Sequence, residues 1–232
     1  MLKLGIIGAM EEEVNILKSR MQEPKVKRIA SMDFYEGLLE GKPVVVVQSG
    51  IGKVNAAICT QILADHYQIE AVINTGVAGS LRNEIDIADI VLSTDALQHD
   101  MDATGFGYEV GVIPRMEKSV FVSDPELLAM AKEVCREELS NLGVHTGRIV
   151  SGDQFISDSE KKEWLVKQFN GYCTEMEGAA IAQTASLNQI PFLIIRAISD
   201  KADHSAEMSY KEFEELAIKN TVILLNGLIK RI

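Results

Sequence analysis

Three groups of carboxylates stand where the chain changes character. Glu11-Glu12-Glu13 follows the apolar run Leu2–Ile7 and a Gly8-Ala9 turn, and opens an amphipathic segment. Glu175 and Glu177 flank Met176 ahead of the small-residue run Gly178-Ala179-Ala180. Asp200 ends the buried-looking stretch Phe192–Ser199. Strand-to-helix turns that bind nucleotides usually turn bare backbone N–H groups towards phosphate. Acid at the first of these turns repels phosphate, but it can take a proton from water.

Each group has two readings. Met10, Val14, Leu17 and Met21 follow helical spacing and mark a buried stripe. At about 100° per residue, Glu12 points away from that stripe, and Ile16 widens the apolar face on the side of Glu13. Glu13 is therefore the candidate for a partly buried acid at the sheet edge. All three acids also suit the positive end of a helix. Glu177 can likewise offset a helix dipole, or accept two hydrogen bonds from a sugar diol. Asp200 is either a turn residue or a catalytic group at a strand end. His99 and His204 are further polar candidates, and neither has metal-ligand spacing.

Two glycine-rich stretches complete the set. Ser49-Gly50-Ile51-Gly52-Lys53 superficially suggests a phosphate loop, but it is too short, and Val54 stands where magnesium would need a hydroxyl. Asn74-Thr75-Gly76-Val77-Ala78-Gly79 follows another apolar run. Both read as tight strand-to-helix turns, lining the crevice where open α/β sheets bind ligands.

The elements that must hold these residues alternate. Strand patterns at Leu2–Ile7, Val44–Gln48, Ala71–Asn74, Asp89–Thr94, Gly147–Val150 and Phe192–Ile195 are rich in Val, Ile and Leu, as in strands covered on both faces. Helical patterns lie at Glu12–Met21, Lys53–His66, Pro125–Leu139, Glu160–Phe169, Met176–Leu187 and Tyr210–Ile229. Met32–Glu40 reads as a hairpin partner of Val44–Gln48. The expected fold is α/β, a mixed, mostly parallel twisted sheet flanked by helices. No linker or repeat divides residues 1–232, so one domain is expected. Gln98–Met116 breaks the pattern, with Phe106 and Tyr108 in a long loop of the functional kind.

At 232 residues and 47% hydrophobic content the chain can bury a sizeable core. Its net charge of −11 disfavours nucleic acid and anionic membrane as partners. No apolar run is long enough to span a bilayer, and the N-terminus lacks a signal-peptide pattern. Cys59, Cys135 and Cys173 are far apart, suggesting neither disulfide nor zinc site, and a reducing cytoplasm fits.

Seven blocks then occur in order: GIIGAMEEEV from Gly5, SGIGKVNAA from Ser49, NTGVAG from Asn74, HDMDATGFGYE from His99, VSGDQFI from Val150, TEMEGAAIAQ from Thr174 and RAISDKAD from Arg196. Together, over nearly the whole chain, they resemble the methylthioadenosine/S-adenosylhomocysteine nucleosidases of the purine nucleoside phosphorylase-like superfamily. The resemblance implies hydrolysis of the N-glycosidic bond of an adenine nucleoside without metal or cofactor. Glu13 takes the role of base for water, Asp200 that of acid on adenine, oriented by Ser199, and Glu177 that of ribose ligand. Met176 packs on the ribose, Phe155 stacks on adenine and Ile156 reads its edge. Met10, Ile51, Val77 and Tyr210 complete the wall. Phe106 and Tyr108 reach the pocket of a partner subunit, so a homodimer is implied.

Two departures matter. Val77 stands where some relatives carry a serine near the catalytic water, and Tyr210 where many have Phe. A phosphate-dependent phosphorylase, an aminodeoxyfutalosine nucleosidase and a non-catalytic nucleoside-binding protein are the competing readings.

Overall fold

The structure, a computed structural model, describes residues 2–204 and 206–232. The side chains of 207–212 and 214 lie outside the described residues. The chain begins with β1 (Leu4–Gly8), α1 (Glu11–Arg20), β2 (Gln22–Ile29), β3 (Met32–Leu39) and β4 (Lys42–Gln48). It continues through α2 (Lys53–Tyr67), β5 (Ala71–Ser80), β6 (Ile90–Gln98), β7 (Phe121–Val122), α3 (Pro125–Glu138) and β8 (Val144–Ser151). It ends with α4 (Ser159–Phe169), β9 (Cys173–Glu175), α5 (Gly178–Leu187), β10 (Phe192–Asp200) and α6 (Ala206–Arg231).

One mixed sheet runs through the molecule in the order β10-β6-β8-β9-β5-β1-β4-β3-β2. Its centre, β4-β1-β5-β10, is parallel. β10 also pairs with β5, so strands β5, β10, β6, β8 and β9 close into a ring. The central strands are buried along their length, which suits their Val/Ile-rich sequence. Helices α1, α3 and α6 bury one face and α2 and α5 the other. The α/β expectation holds, and the parallel part of the sheet is the part that carries the site.

Local chemistry explains several joins. Glu40 and Gly41 both have positive φ, 49° and 74°, in a two-residue turn between β3 and β4. That is the primed geometry which matches strand twist. Gly50 and Gly52, at φ 83° and 97°, make the turn into α2, as the sequence predicts.

Asn74–Gly79 differs from expectation. It is no turn: β5 runs straight through it to Ser80. Its glycines are absent from the positive-φ set and serve a different purpose, described below. Strands β2, β7 and β9 escaped the sequence reading. β2 is an exposed, charged strand interrupted by Pro24, without an alternating apolar pattern. β9 is only 3 residues long, and α5 starts at Gly178, two residues later than its sequence pattern suggests.

Candidate active site

The parallel strands end at one edge, and there a cavity of about 210 Å³ opens. It is lined by Met10, Glu13, Ile51, Val77, Phe155, Met176, Glu177, Ser199 and Asp200, brought together from six separate segments. Ile156 lines a small adjoining recess of about 30 Å³ with Phe155, Met176 and Asp200. Phe106 and Tyr108 do not reach the cavity: Phe106 is 87% exposed on a short 3-10 turn, Thr104–Phe106. The side chain of Tyr210 lies outside the described residues.

At one end stands Glu13, only 4% exposed. Its Oε2 accepts from the N–H groups of Ala9 (2.6 Å) and Met10 (3.0 Å), and its Oε1 from the N–H of Val77 (3.2 Å). Both sequence readings of this acid are therefore correct, since it closes the start of its own helix and also faces the cavity. Burial pushes its pKa up against the opposing pull of Arg196 and the three N–H donors. Glu12 is exposed, and Glu11 is engaged at the surface with Lys18 at 2.7 Å. The valine in place of a hydroxyl costs Glu13 no anchor, because the backbone of Val77 supplies the donor.

At the other end stands Asp200, 2% exposed. Its Oδ1 accepts from the N–H of Ala202 (2.8 Å) and its Oδ2 from the Ser199 hydroxyl (2.9 Å). The β5–β10 register shifts between Ile198 and Asp200, a bulge at Ser199 that re-aims the last side chain of the strand. Burial raises the Asp200 pKa, outweighing both donors, so the acid keeps its proton to higher pH than usual.

Two glycines of β5 gauge these ends. A Cβ on Gly76 would overlap the Glu13 carboxylate, and one on Gly79 would lie 2.7 Å from Asp200 Oδ1. Glycine is needed at both because an acid from another element leans on the bare strand.

Between them sits a buried cluster. Glu177 Oε1 accepts the Gly52 N–H at the start of α2, at 2.8 Å. Glu175 is ion-paired with Arg196, accepts from the Ser151 hydroxyl, and takes the N–H groups of Gly178 (2.7 Å) and Glu177 (3.1 Å). Arg196 also donates to Asn74 Oδ1 at 2.5 Å. Burial alone would raise the Glu175 pKa, but Arg196 and the hydrogen bonds hold it below its ordinary range. Glu177 is pushed the other way, to about 8, by burial and by the charge of Glu175.

Sequence reasoning named Glu175 and Arg196 but did not pair them. Arg196 lies in a buried strand, and the cue is an arginine inside an Ile-rich run, which demands a buried acid. Ala9, Ala78, Gly79 and Thr174 also line the cavity. Only the approach of neighbouring strands places them there.

Buried acids lining a pocket at the edge of parallel strands, in a closed mixed sheet, stand where α/β enzymes place their sites. A sequence profile described as "Phosphorylase superfamily" matches residues 3–230. A 5'-methylthioadenosine/S-adenosylhomocysteine nucleosidase of an Exiguobacterium species is 44% identical over 232 residues, covering 100% of this chain and 99% of the relative. The crystal structure of the Neisseria meningitidis nucleosidase of that name, in complex with methylthio-immucillin-A, is 39% identical, covers 100% of both chains and superposes with a TM-score of 0.96. A futalosine hydrolase structure from Helicobacter pylori is 33% identical, with a TM-score of 0.94 over 100% of this chain and 98% of that one. The chain belongs to the methylthioadenosine/S-adenosylhomocysteine nucleosidase family of the phosphorylase superfamily.

Proposed function

We propose that this protein hydrolyses the N-glycosidic bond of methylthioadenosine and S-adenosylhomocysteine, releasing adenine and the thio-substituted ribose, with Glu13 and Asp200 at the two ends of the reaction. The observation that carries the residue assignment is that two buried acids line one cavity, one against Gly76 and the other against Gly79, each fixed by backbone N–H donors. Adenine leaves readily only when protonated, and Asp200, holding its proton towards neutral pH, supplies that proton. The ribose gains positive charge as the bond breaks; the ionised Glu13 carboxylate stabilises it, and Glu177 does so in the fraction that has lost its proton. Glu13 takes the proton of the attacking water. Glu177 binds the ribose hydroxyls, Met176 packs on the ribose, Phe155 stacks on the base and Ile156 borders its edge. Separate acid and base on the two sides of the scissile bond follow the logic of glycosidases.

The charge of the lining separates hydrolysis from phosphorolysis. Glu13, Glu175, Glu177 and Asp200 line the cavity, and no Lys or Arg does among the described residues. Arg196 is buried behind them and engaged with Glu175 and Asn74. Phosphate would need free cations and donors. Adenine release is expected from methylthioadenosine and S-adenosylhomocysteine at equal rates with and without phosphate, and strict phosphate dependence would overturn the hydrolase. Aminodeoxyfutalosine belongs in the same assay, because the futalosine hydrolase shares the fold throughout.

The working form is a homodimer in which Phe106 and Tyr108 close the neighbouring pocket. Ile51, Val54 and Ile58 are exposed at helical spacing along the start of α2, with Leu187 and Val122 exposed nearby. Ile51 and Phe155 leave the cavity open on that side. A second copy would cover these residues.

A further inference from the structure

The start of α2 has no side chain to cap it, since its N-cap is Gly52. Two of its N–H groups are taken instead by carboxylates from distant segments. Glu177 accepts from Gly52 (2.8 Å), and Asp153 Oδ1 accepts from Lys53 (2.8 Å). The Asp153 N–H in turn donates to Asp100 Oδ2 (2.9 Å), and Asp100 Oδ1 pairs with the Lys53 ammonium (2.6 Å). Lys53 Nζ also donates to Gln98 Oε1 at 2.9 Å. The ion pair is largely shielded, with side chains 16% and 19% exposed. Gly52, at φ 97°, leaves room for Asp153: a Cβ there would lie 3.2 Å from its Oδ1.

Asp153 opens the irregular segment between β8 and α4 that carries Phe155 and Ile156 into the cavity. We propose that Asp153, held between the Lys53 N–H and the Lys53–Asp100 ion pair, is a positioning residue that fixes the base-stacking segment to the same helix start that holds Glu177. The wall for the base and the carboxylate for the ribose then share one anchor, and their spacing is set by α2 and not by the loop. The helix N-terminus favours the Asp153 carboxylate and offers the Glu177 oxygen an N–H donor. The mechanism has no other use for the Lys53–Asp100 pair, which stands outside the cavity lining. The inference rests on the reading of Phe155 as the base wall.

Five variants, Asp153→Ala, Asp153→Asn, Lys53→Met, Phe155→Ala and the double Asp153→Ala/Lys53→Met, are compared with the parent. The readouts are kcat and KM for methylthioadenosine, Kd for free adenine by calorimetry, and Tm. Asp153→Ala and Lys53→Met are each expected to weaken adenine binding and raise KM by about tenfold, the worth of one charge-assisted hydrogen bond, with a smaller change in kcat. Asp153→Asn keeps an acceptor for the Lys53 N–H and should recover most of the affinity. The double variant Asp153→Ala/Lys53→Met should weaken binding by less than the product of the singles, since both act through one clamp. If Asp153→Ala and Lys53→Met lower only Tm, or lower kcat with adenine affinity intact, the positioning role fails while the base wall stands. If Phe155→Ala also leaves adenine affinity intact, the base wall itself is wrong.

Discussion

At the scale of single residues, three acids are driven by burial towards their neutral forms, and the sign of each shift has a consequence. In the proposed reaction Glu13 must be ionised to accept a proton from water and Asp200 protonated to act on adenine, so the raised Glu13 pKa moves the acidic limb of the kcat/KM profile above the ordinary carboxylate range. The raised Asp200 pKa extends activity to higher pH before the alkaline limb sets in. Glu13→Gln and Asp200→Asn should each lower kcat by about 10²- to 10⁴-fold with the circular dichroism spectrum unchanged. Near-parental turnover in either variant removes its assigned role. Glu177 offers a test without substrate. Its pKa rises from 4.5 to about 8 on folding, so the folded chain binds a proton that the unfolded chain has lost. That contribution to stability is complete below pH 4.5 and is lost as pH rises to about 8. Tm should therefore fall less steeply across that window in Glu177→Gln than in the parent, and equal slopes would contradict the shift.

At the scale of elements, β5 acts as the gauge of the site. Gly76 and Gly79 stand three residues apart, about 10 Å along an extended strand. Glu13 from α1 leans on the first and Asp200 from β10 on the second. Gly76→Ala should displace the Glu13 carboxylate and lower kcat on the order of 10²-fold, as misplacement of a catalytic group by about 1 Å does. Gly79→Ala should act in the same direction through Asp200, with little change in the KM of Gly76→Ala or in the overall fold. Full activity in both would mean that neighbouring side chains yield freely and that the strand sets nothing. The pattern of glycines was plain in the sequence, but their purpose was not. Gly50 and Gly52 serve a left-handed turn, which composition suggests, whereas Gly76 and Gly79 serve two acids remote in sequence.

At the scale of the whole molecule, Ile51 and Phe155 of the cavity wall are half exposed, and the exposed Val54 of α2 and Leu187 of α5 line one surface groove. If the proposed homodimer is the working form, Val54→Lys and Leu187→Lys, at residues 69% and 64% exposed, shift the protein to monomers in sedimentation and lower kcat/KM together. A parental protein that sediments as a fully active monomer would refute the shared pocket. Phe106→Ala should raise KM in the dimer and change nothing in a monomer. The exposed β2, with its lysines, arginine and proline, caps the opposite end of the sheet in the way that discourages edge pairing.

The sequence by itself determined the α/β class, the central strands, five of the six helices to within two residues at their starts, and the acids that line the cavity. Those features are local or periodic: apolar runs make buried strands, helical spacing separates Glu13 from Glu12, and acids beside glycine mark strand ends. Only the tertiary structure decided how they act together. The closure of β5 on β10, the bulge at Ser199, the Arg196–Glu175 pair and the anchoring of Glu177 and Asp153 on α2 all join residues far apart in the chain. The pKa of a buried acid depends on which charges and donors the fold brings within a few ångströms, and no spacing along one strand or helix can state that.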